Sequence, residues 1–108
     1  MNISLVDSDL AFLIRLTGLA LKWKEVGDHL GVPADELDAI QQNNHGSIDM
    51  VQNCLRDMFK WWLRNGKAEA RTVGKLTMAV CAIGRLDIEI QIKKKYGKWN
   101  IDVILLHS

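Results

Sequence analysis

The sequence predicts an all-α protein, and three observations carry that prediction. Val51, Leu55, Met58, Phe59 and Trp62 recur along one face of a 3.6-residue period. Pro33 is the only proline and there are eight glycines, which leaves room for uninterrupted helices. Start and stop signals bracket the apolar runs: Ser8, Ser47 and Thr72 as N-caps, and Gly31, Asn65-Gly66 and Gly84 as stops. At 108 residues, 48% hydrophobic and 25% charged, the chain has the size and composition of one globular domain.

Ser8 opens a first helix with Leu10, Leu13, Ile14, Thr17 and Leu21 as its inward stripe. Phe12, Leu16 and Leu19 give that helix a second apolar side, and Gly18 marks a bend in it. In the second helix Trp23, Val26 and Leu30 face in, while Lys24, Glu25 and Asp28 face out. Gly31 ends it, and Pro33 starts a third at a first-turn position where a missing N–H costs nothing. Asp35 and Glu36 occupy the first turn, which favours anions, and Leu37 and Ile40 form the inward pair. A polar loop over residues 41–46 leads to the central helix, residues 51–63, capped by Ser47 and stopped by a left-handed Asn65-Gly66. Thr72 caps a fifth helix whose face is Leu76, Ala79, Val80 and Ile83.

The final segment reads two ways. Leu86, Ile88, Ile90 and Ile92 alternate strictly, and Trp99, Ile101 and Val103 alternate again after Tyr96-Gly97, a hairpin signature. A helix capped by Asp87 with Ile88 and Ile92 inward is the alternative, and it leaves Ile90 facing out.

Nothing in the chain resembles a catalytic constellation. His29, His45 and His107 lie far apart with no ligand-spaced partner, so no metal or cofactor is expected. Ser47 and Thr72 have no base placed near them, and there is no glycine-rich phosphate loop. Cys54 and Cys81 sit in apolar helical patterns and read as small core residues in a reducing compartment, with a bridge between them as the alternative. The longest apolar run, residues 10–21, is broken by Arg15 and falls short of the ~20 residues a membrane span needs. With Asp7 and Asp9 as the first charges there is no basic leader region, and the expected location is the cytoplasm.

The net charge of +1 conceals a split. Residues 1–50 carry three Lys/Arg against eight Asp/Glu, and residues 51–108 carry eleven against five. Unlike patches of this kind suit head-to-tail association. Lys93, Lys94, Lys95 and Lys98 beside Tyr96 and Trp99 form a basic-aromatic cluster, the basis of an alternative reading as a small nucleic-acid-binding domain. Against that reading, lysines gather at helix C-termini for electrostatic reasons alone.

The ordered set of segments resembles the death domain of the death-fold superfamily. The resemblance runs through Trp23-Lys24-Glu25-Val26-Gly27, His29-Leu30-Gly31-Val32-Pro33 and Glu36-Leu37-Asp38-Ala39-Ile40. It continues through Met58-Phe59-Lys60-Trp61-Trp62-Leu63, Thr72-Val73-Gly74-Lys75-Leu76 and Ala79-Val80-Cys81-Ala82-Ile83-Gly84-Arg85. The Trp62-Leu63 pair and the helix-two tryptophan favour the death domain over its caspase-recruitment and death-effector siblings. The resemblance implies a six-helix antiparallel Greek-key bundle over residues 1–97, with residues 86–96 as helix six. It also implies a non-enzymatic protein–protein interaction module that assembles apoptotic or innate-immune signalling complexes, with a helical oligomer as one form. The implied partners are other death-fold domains, with no small-molecule substrate, no membrane insertion and nucleic acid disfavoured.

On that surface an acidic patch is expected at Glu25, Asp28, Asp35, Glu36 and Asp38, and a basic one at Arg56, Lys60, Arg64 and Arg85. Trp61, off the inward face of its helix, reads equally as an exposed interface anchor or as packing under a loop. Two features depart from the family pattern: the apolar Ile90 at an outward site, and the apolar tail, residues 98–108. The tail is expected to fold back over Phe12, Leu16 and Leu19, with addition to a second molecule as the alternative.

Overall fold

The computed structural model describes residues 3–97 and is all-helical, a six-helix bundle. Its helices are α1 (Leu10–Leu13), α2 (Trp23–His29), α3 (Ala34–Asn43), α4 (Met50–Asn65), α5 (Val73–Ala82) and α6 (Leu86–Tyr96). A 3-10 segment, Thr17–Lys22, runs directly into α2.

The long helix α4 is the one against which α1, α2, α3 and the 3-10 segment pack. Its expected face is correct: Leu55, Met58, Phe59 and Trp62 are buried, with Cys54 and Leu63 beside them and Val51 at the edge. The Phe59 and Trp62 rings lie 6.3 Å apart and are tilted by 54°, inside a wall of aliphatic side chains. Gly27 of α2 touches this core so closely that a Cβ there would stand 2.6 Å from Leu37 Cδ2 and 2.9 Å from Met58 Cγ. The α2–α4 approach depends on that missing methyl.

The start of the chain departs most from expectation. In place of one helix there is a short 3-10 turn at Asp7–Asp9, the single-turn α1, a break over residues 14–16 and the 3-10 segment. Leu13, Leu16, Leu19 and Ala20 are all buried, whereas Thr17 is exposed and Leu21 is 86% exposed. Three residues per turn stacks positions 13, 16 and 19 on one side, which a 3.6-residue period separates. Of the expected second apolar side, Leu16 and Leu19 are buried in the core and Phe12 is half-buried against it; the tail expected to cover that side, residues 98–108, lies outside the described residues. Gln52 Nε2 donates to the Ile14 carbonyl at 2.7 Å and satisfies the end of α1 from α4. Ser8 does not cap; the Asp9 carboxylate accepts the Val6 N–H at 2.8 Å instead. The bend precedes Gly18, and Gly18 serves a close contact described below.

Residues before the first helix have a role that the sequence did not announce. Leu5 is fully buried, its N–H donates to the Arg71 carbonyl at 2.7 Å, and Arg71 Nη1 donates back to the Leu5 carbonyl at 2.8 Å. Val73 N–H donates to the Ile3 carbonyl at 2.9 Å. Tyr96, at the end of α6, donates its hydroxyl to Asp9 at 2.9 Å and meets Phe12 edge-on at 5.5 Å. The N-terminal strap thus ties the start of α5 to the end of α6.

Several termini differ in detail. Pro33 is the N-cap of α3, one position before the first turn. Ser47 donates to the Asn44 carbonyl at 2.7 Å instead of capping α4, whose N-cap is Asp49. Gly66 stops α4 in an extended conformation (φ −68°), not a left-handed one. Thr72 caps α5 as expected, accepting from Lys75 N–H at 3.2 Å. Gly84 follows α5 with φ +78°, where only glycine is free of strain. Residues 86–96 are helical with Ile88 and Ile92 buried, so the hairpin reading is overturned: the core accepts two isoleucines at helical spacing and leaves Leu86 and Ile90 outside. N-cap of α6 is Arg85, not Asp87. The second half of the alternation lies outside the described residues.

Replacing Trp62 by alanine should lower unfolding stability by ~3–5 kcal/mol, read from urea denaturation. A loss below ~1 kcal/mol would place this side chain outside the structural centre.

Candidate protein-interaction surface

The expected acidic residues fall on two adjoining helices. Glu25 and Asp28 lie on α2; Asp35, Glu36 and Asp38 lie on α3, with Asp35 and Glu36 in its first turn. A shallow hollow of about 420 Å³, lined by Lys24, Glu25, Asp28, Ala34 and Leu37, joins the two helices. Part of this charge is matched internally. Lys24 Nζ reaches Asp38 Oδ1 at 2.7 Å and Gln41 Oε1 at 2.8 Å, and Lys22 lies 3.9 Å from Glu25. Among the described residues no ion pair engages Asp28, Asp35 or Glu36. These three carry the negative field of the face.

The basic residues of α4 form a strip one turn apart, again with unequal freedom. Arg56 Nε lies 3.2 Å from Asp57 Oδ1, and Arg64 lies 4.0 Å from Asp7 of the strap. Exposed pairs of this kind contribute about 0–1 kcal/mol and open readily to a competing charge. No ion pair engages Lys60 among the described residues. Trp61 is half-buried against the core, and it lines a hollow of about 270 Å³ with Ile40, Asn43, Asp57, Lys60, Arg64 and Asn65. Trp61 thus packs inward, as one of its two readings has it, and still borders open surface between Lys60 and Arg64. The acidic hollow lies at the N-terminal end of α3 and the Trp61 hollow at its C-terminal end. The first meets α3 at Ala34 and Leu37 and the second at Ile40 and Asn43, so their midpoints lie about 9 Å apart along the helix.

Arg85 stands apart from this strip. Its Nη1 donates to the Gly18 carbonyl at 2.7 Å, and its Nε and Nη2 grip Asp87 at 3.1 and 2.9 Å. A Cβ on Gly18 would stand 2.6 Å from Arg85 Nη2 and 2.9 Å from Ile88 Cδ1, so glycine there permits the contact. Arg85 ties the α5–α6 corner to the 3-10 segment. Hydrogen bonding to Arg85 holds the Asp87 carboxyl below its ordinary value, and Asp87 holds the Arg85 guanidinium above its own.

The remaining candidates are soon placed. His29 and His45 are exposed, His107 lies outside the described residues, and no group that could hold a metal ion occurs among the described ones. Cys54 is buried, and burial pushes its thiol up; Cys81 is exposed on α5, contrary to its expected place in the core. Lys93 pairs with Glu89 at 3.0 Å and Lys95 lies 5.8 Å over the Phe12 ring. Tyr96 is engaged by Phe12 and Asp9, and burial, with Asp9 beside it, raises its phenol above the ordinary range. Lys98 and Trp99 lie outside the described residues. No helix among the described residues is long and apolar enough to cross a membrane.

A family model described as Death domain matches residues 11–95. The chain belongs to the death-domain family. Neither the curated proteins nor the solved structures include a match to it. Death domains are protein–protein interaction modules of signalling and not enzymes. Sequence reasoning missed the parts of this death domain that only folding assembles. Lys24 is drawn into the acidic face by a partner fourteen residues away, and Ile40, Asn43 and Asn65 frame Trp61 from two helices. The burial of Leu5 had a faint signal in the apolar Ile3, Leu5 and Val6.

The Arg85–Asp87 grip gives a pH-dependent expectation. A depressed carboxyl contributes stability above its unfolded pKa of ~3.9 and loses that contribution as pH falls through the lower folded value. Asp87→Asn should therefore lower the thermal midpoint at neutral pH, and the gap to the parent should close below about pH 4. A gap that stays constant across thermal melts in that range would contradict this role for Asp87.

Proposed function

We propose that this death domain assembles signalling complexes through homotypic contacts, the acidic α2–α3 face of one copy meeting the basic α4 face of the next. The observation that carries the reading is the separation of unlike charge at the two ends of α3. Asp28, Asp35 and Glu36 mark one face; Lys60 and Arg64, with Trp61 between them, mark the other. A contact between two different patches leaves one of each open on every pair, so it propagates and does not close as a symmetric dimer. That geometry suits assemblies of the apoptotic or innate-immune type, and a helical oligomer is its natural extended form. No chemistry is required of the chain, and the cytoplasm is where such complexes would form.

The charges supply specificity and association rate, while Trp61 supplies area that can be desolvated. Arg56 flanks the basic face, Glu25 and Asp38 flank the acidic one, and these three, like Arg64 with Asp7, must exchange an internal partner to take part. Arg85 belongs to the interface only if its grip on Asp87 and Gly18 is kept, since releasing it would loosen the α5–α6 corner.

Size-exclusion chromatography with light scattering, alone and with a candidate death-fold partner, tests the reading. Raising salt to about 0.5 M should weaken association by screening. Lys60→Glu or Arg64→Glu should do the same at low salt while circular dichroism shows the fold intact. Assembly that ignores both salt and charge reversal would reject the proposed faces.

A further inference from the structure

The chain holds one Asn-Gly pair, Asn65-Gly66, and it stands where α4 ends. Asn65 is exposed and lines the Trp61 hollow together with Lys60 and Arg64. Packing demands the glycine: a Cβ at position 66 would stand 2.7 Å from the Trp62 carbonyl oxygen and 3.4 Å from Trp62 Cδ1. The same glycine makes the pair chemically labile. With no side chain in the way, its backbone nitrogen can reach the Cγ of the preceding asparagine, a thermolabile residue. Two hydrogen bonds restrain that closure. Asn65 donates from Nδ2 to the Trp61 carbonyl at 3.0 Å, and the Gly66 N–H donates to the Trp62 carbonyl at 2.9 Å. Both belong to the last turn of a helix, which opens locally at low cost.

We propose that Asn65-Gly66 is a modification site, where spontaneous deamidation turns a neutral wall of the Trp61 hollow into a carboxylate. When the last turn of α4 opens, the Gly66 nitrogen bonds to Asn65 Cγ. The Cγ–Nδ2 bond breaks, and the amide nitrogen leaves as ammonia with the Gly66 proton. Water then opens the cyclic imide at either of its carbonyls, giving aspartate or isoaspartate. The balance is one water consumed and one carboxylate and one ammonium ion formed. The new anion stands beside Arg64 and in the same hollow as Lys60, so it cancels one positive charge of the basic face. It cannot donate to the Trp61 carbonyl, and it lies at the negative end of the α4 dipole. The isoaspartate form also adds a backbone atom where the chain leaves the helix. The modification needs only the chemistry of this pair; its effect on assembly rests on the charged faces proposed above.

The test incubates the full chain at mildly alkaline pH and follows each asparagine by peptide mass. The gain of about 1 Da that marks deamidation should appear at Asn65 about tenfold faster than at Asn43 or Asn53, each followed by a residue with a side chain. It should quicken by a further tenfold or so in guanidinium chloride, where the two restraining hydrogen bonds are lost. An Asn65 that reacts no faster than Asn43 and Asn53 would overturn the site. Asn65→Asp makes the product directly and should weaken association by about threefold or more, with the parent's fold by circular dichroism. Asn65→Ser, neutral and unable to form the imide, should associate as the parent does. Equal weakening by Asn65→Ser would trace the loss to the hydrogen bond and overturn the charge effect, as would an Asn65→Asp chain that assembles like the parent. If the parent's association ignores both salt and Lys60→Glu, the charged faces have failed, and the mass measurement alone decides the modification site.

Discussion

The burial of one face of α4 is the constraint on which the rest of the molecule depends. Phe59, Trp62, Met58 and Leu55 form the surface against which α1, the 3-10 segment, α2 and α3 all pack. A small domain has few other sources of stability, because its ratio of surface to volume is unfavourable. The same helix carries Arg56, Lys60, Trp61 and Arg64 on its other sides. Its register in the core therefore sets where the cations stand, and Trp61 is fixed between Lys60 and Arg64 by packing its inner part against the core. The proposed binding surface, carried on the back of a core helix, is held in place by the packing of that helix.

Charge summed along the chain overstated the charge that the surface offers. The acidic first half contributes Asp9 to Tyr96, Asp7 to Arg64 and Asp38 to Lys24, contacts that join distant segments. On the basic side Arg85 and Arg71 serve carbonyls of the first half, at Gly18 and Leu5. Some of the asymmetry between the halves thus fastens the beginning of the chain to its end. Among the described residues the charges outside any ion pair on these faces are fewer: Asp28, Asp35 and Glu36 by the N-terminal end of α3, and Lys60 beside Trp61 at the other end.

The sequence made the middle of the fold legible and its edges much less so. α2 through α5 follow a 3.6-residue period, and Trp23, Leu37, Phe59 and Leu76 each announce the face they bury. The first segment follows a three-residue period, so reading it as α-helix placed Leu16 and Leu19 on a separate side and Leu21 inside. Caps depended on whether a competing hydrogen bond was available, and Ser47 turned to the Asn44 carbonyl. α6 could not be told from a strand locally, because Leu86 and Ile90 are apolar yet face out; the family resemblance supplied what the pattern lacked. Arg85 looked like a free cation because its partners, Asp87 and the Gly18 carbonyl, come together only when the α5–α6 corner closes on the first segment.

The proposed meeting of unlike faces is tested most directly by complementing two half-disabled chains. One chain carries Lys60→Ala and Arg64→Ala and keeps its acidic face; the other carries Asp28→Ala and Asp35→Ala and keeps its basic face. Light scattering on each alone should report monomers, and an equimolar mixture should report a one-to-one pair and nothing larger, because each member has only one working face. A mixture that stays monomeric, or single variants that assemble as the parent does, would contradict the association of these faces.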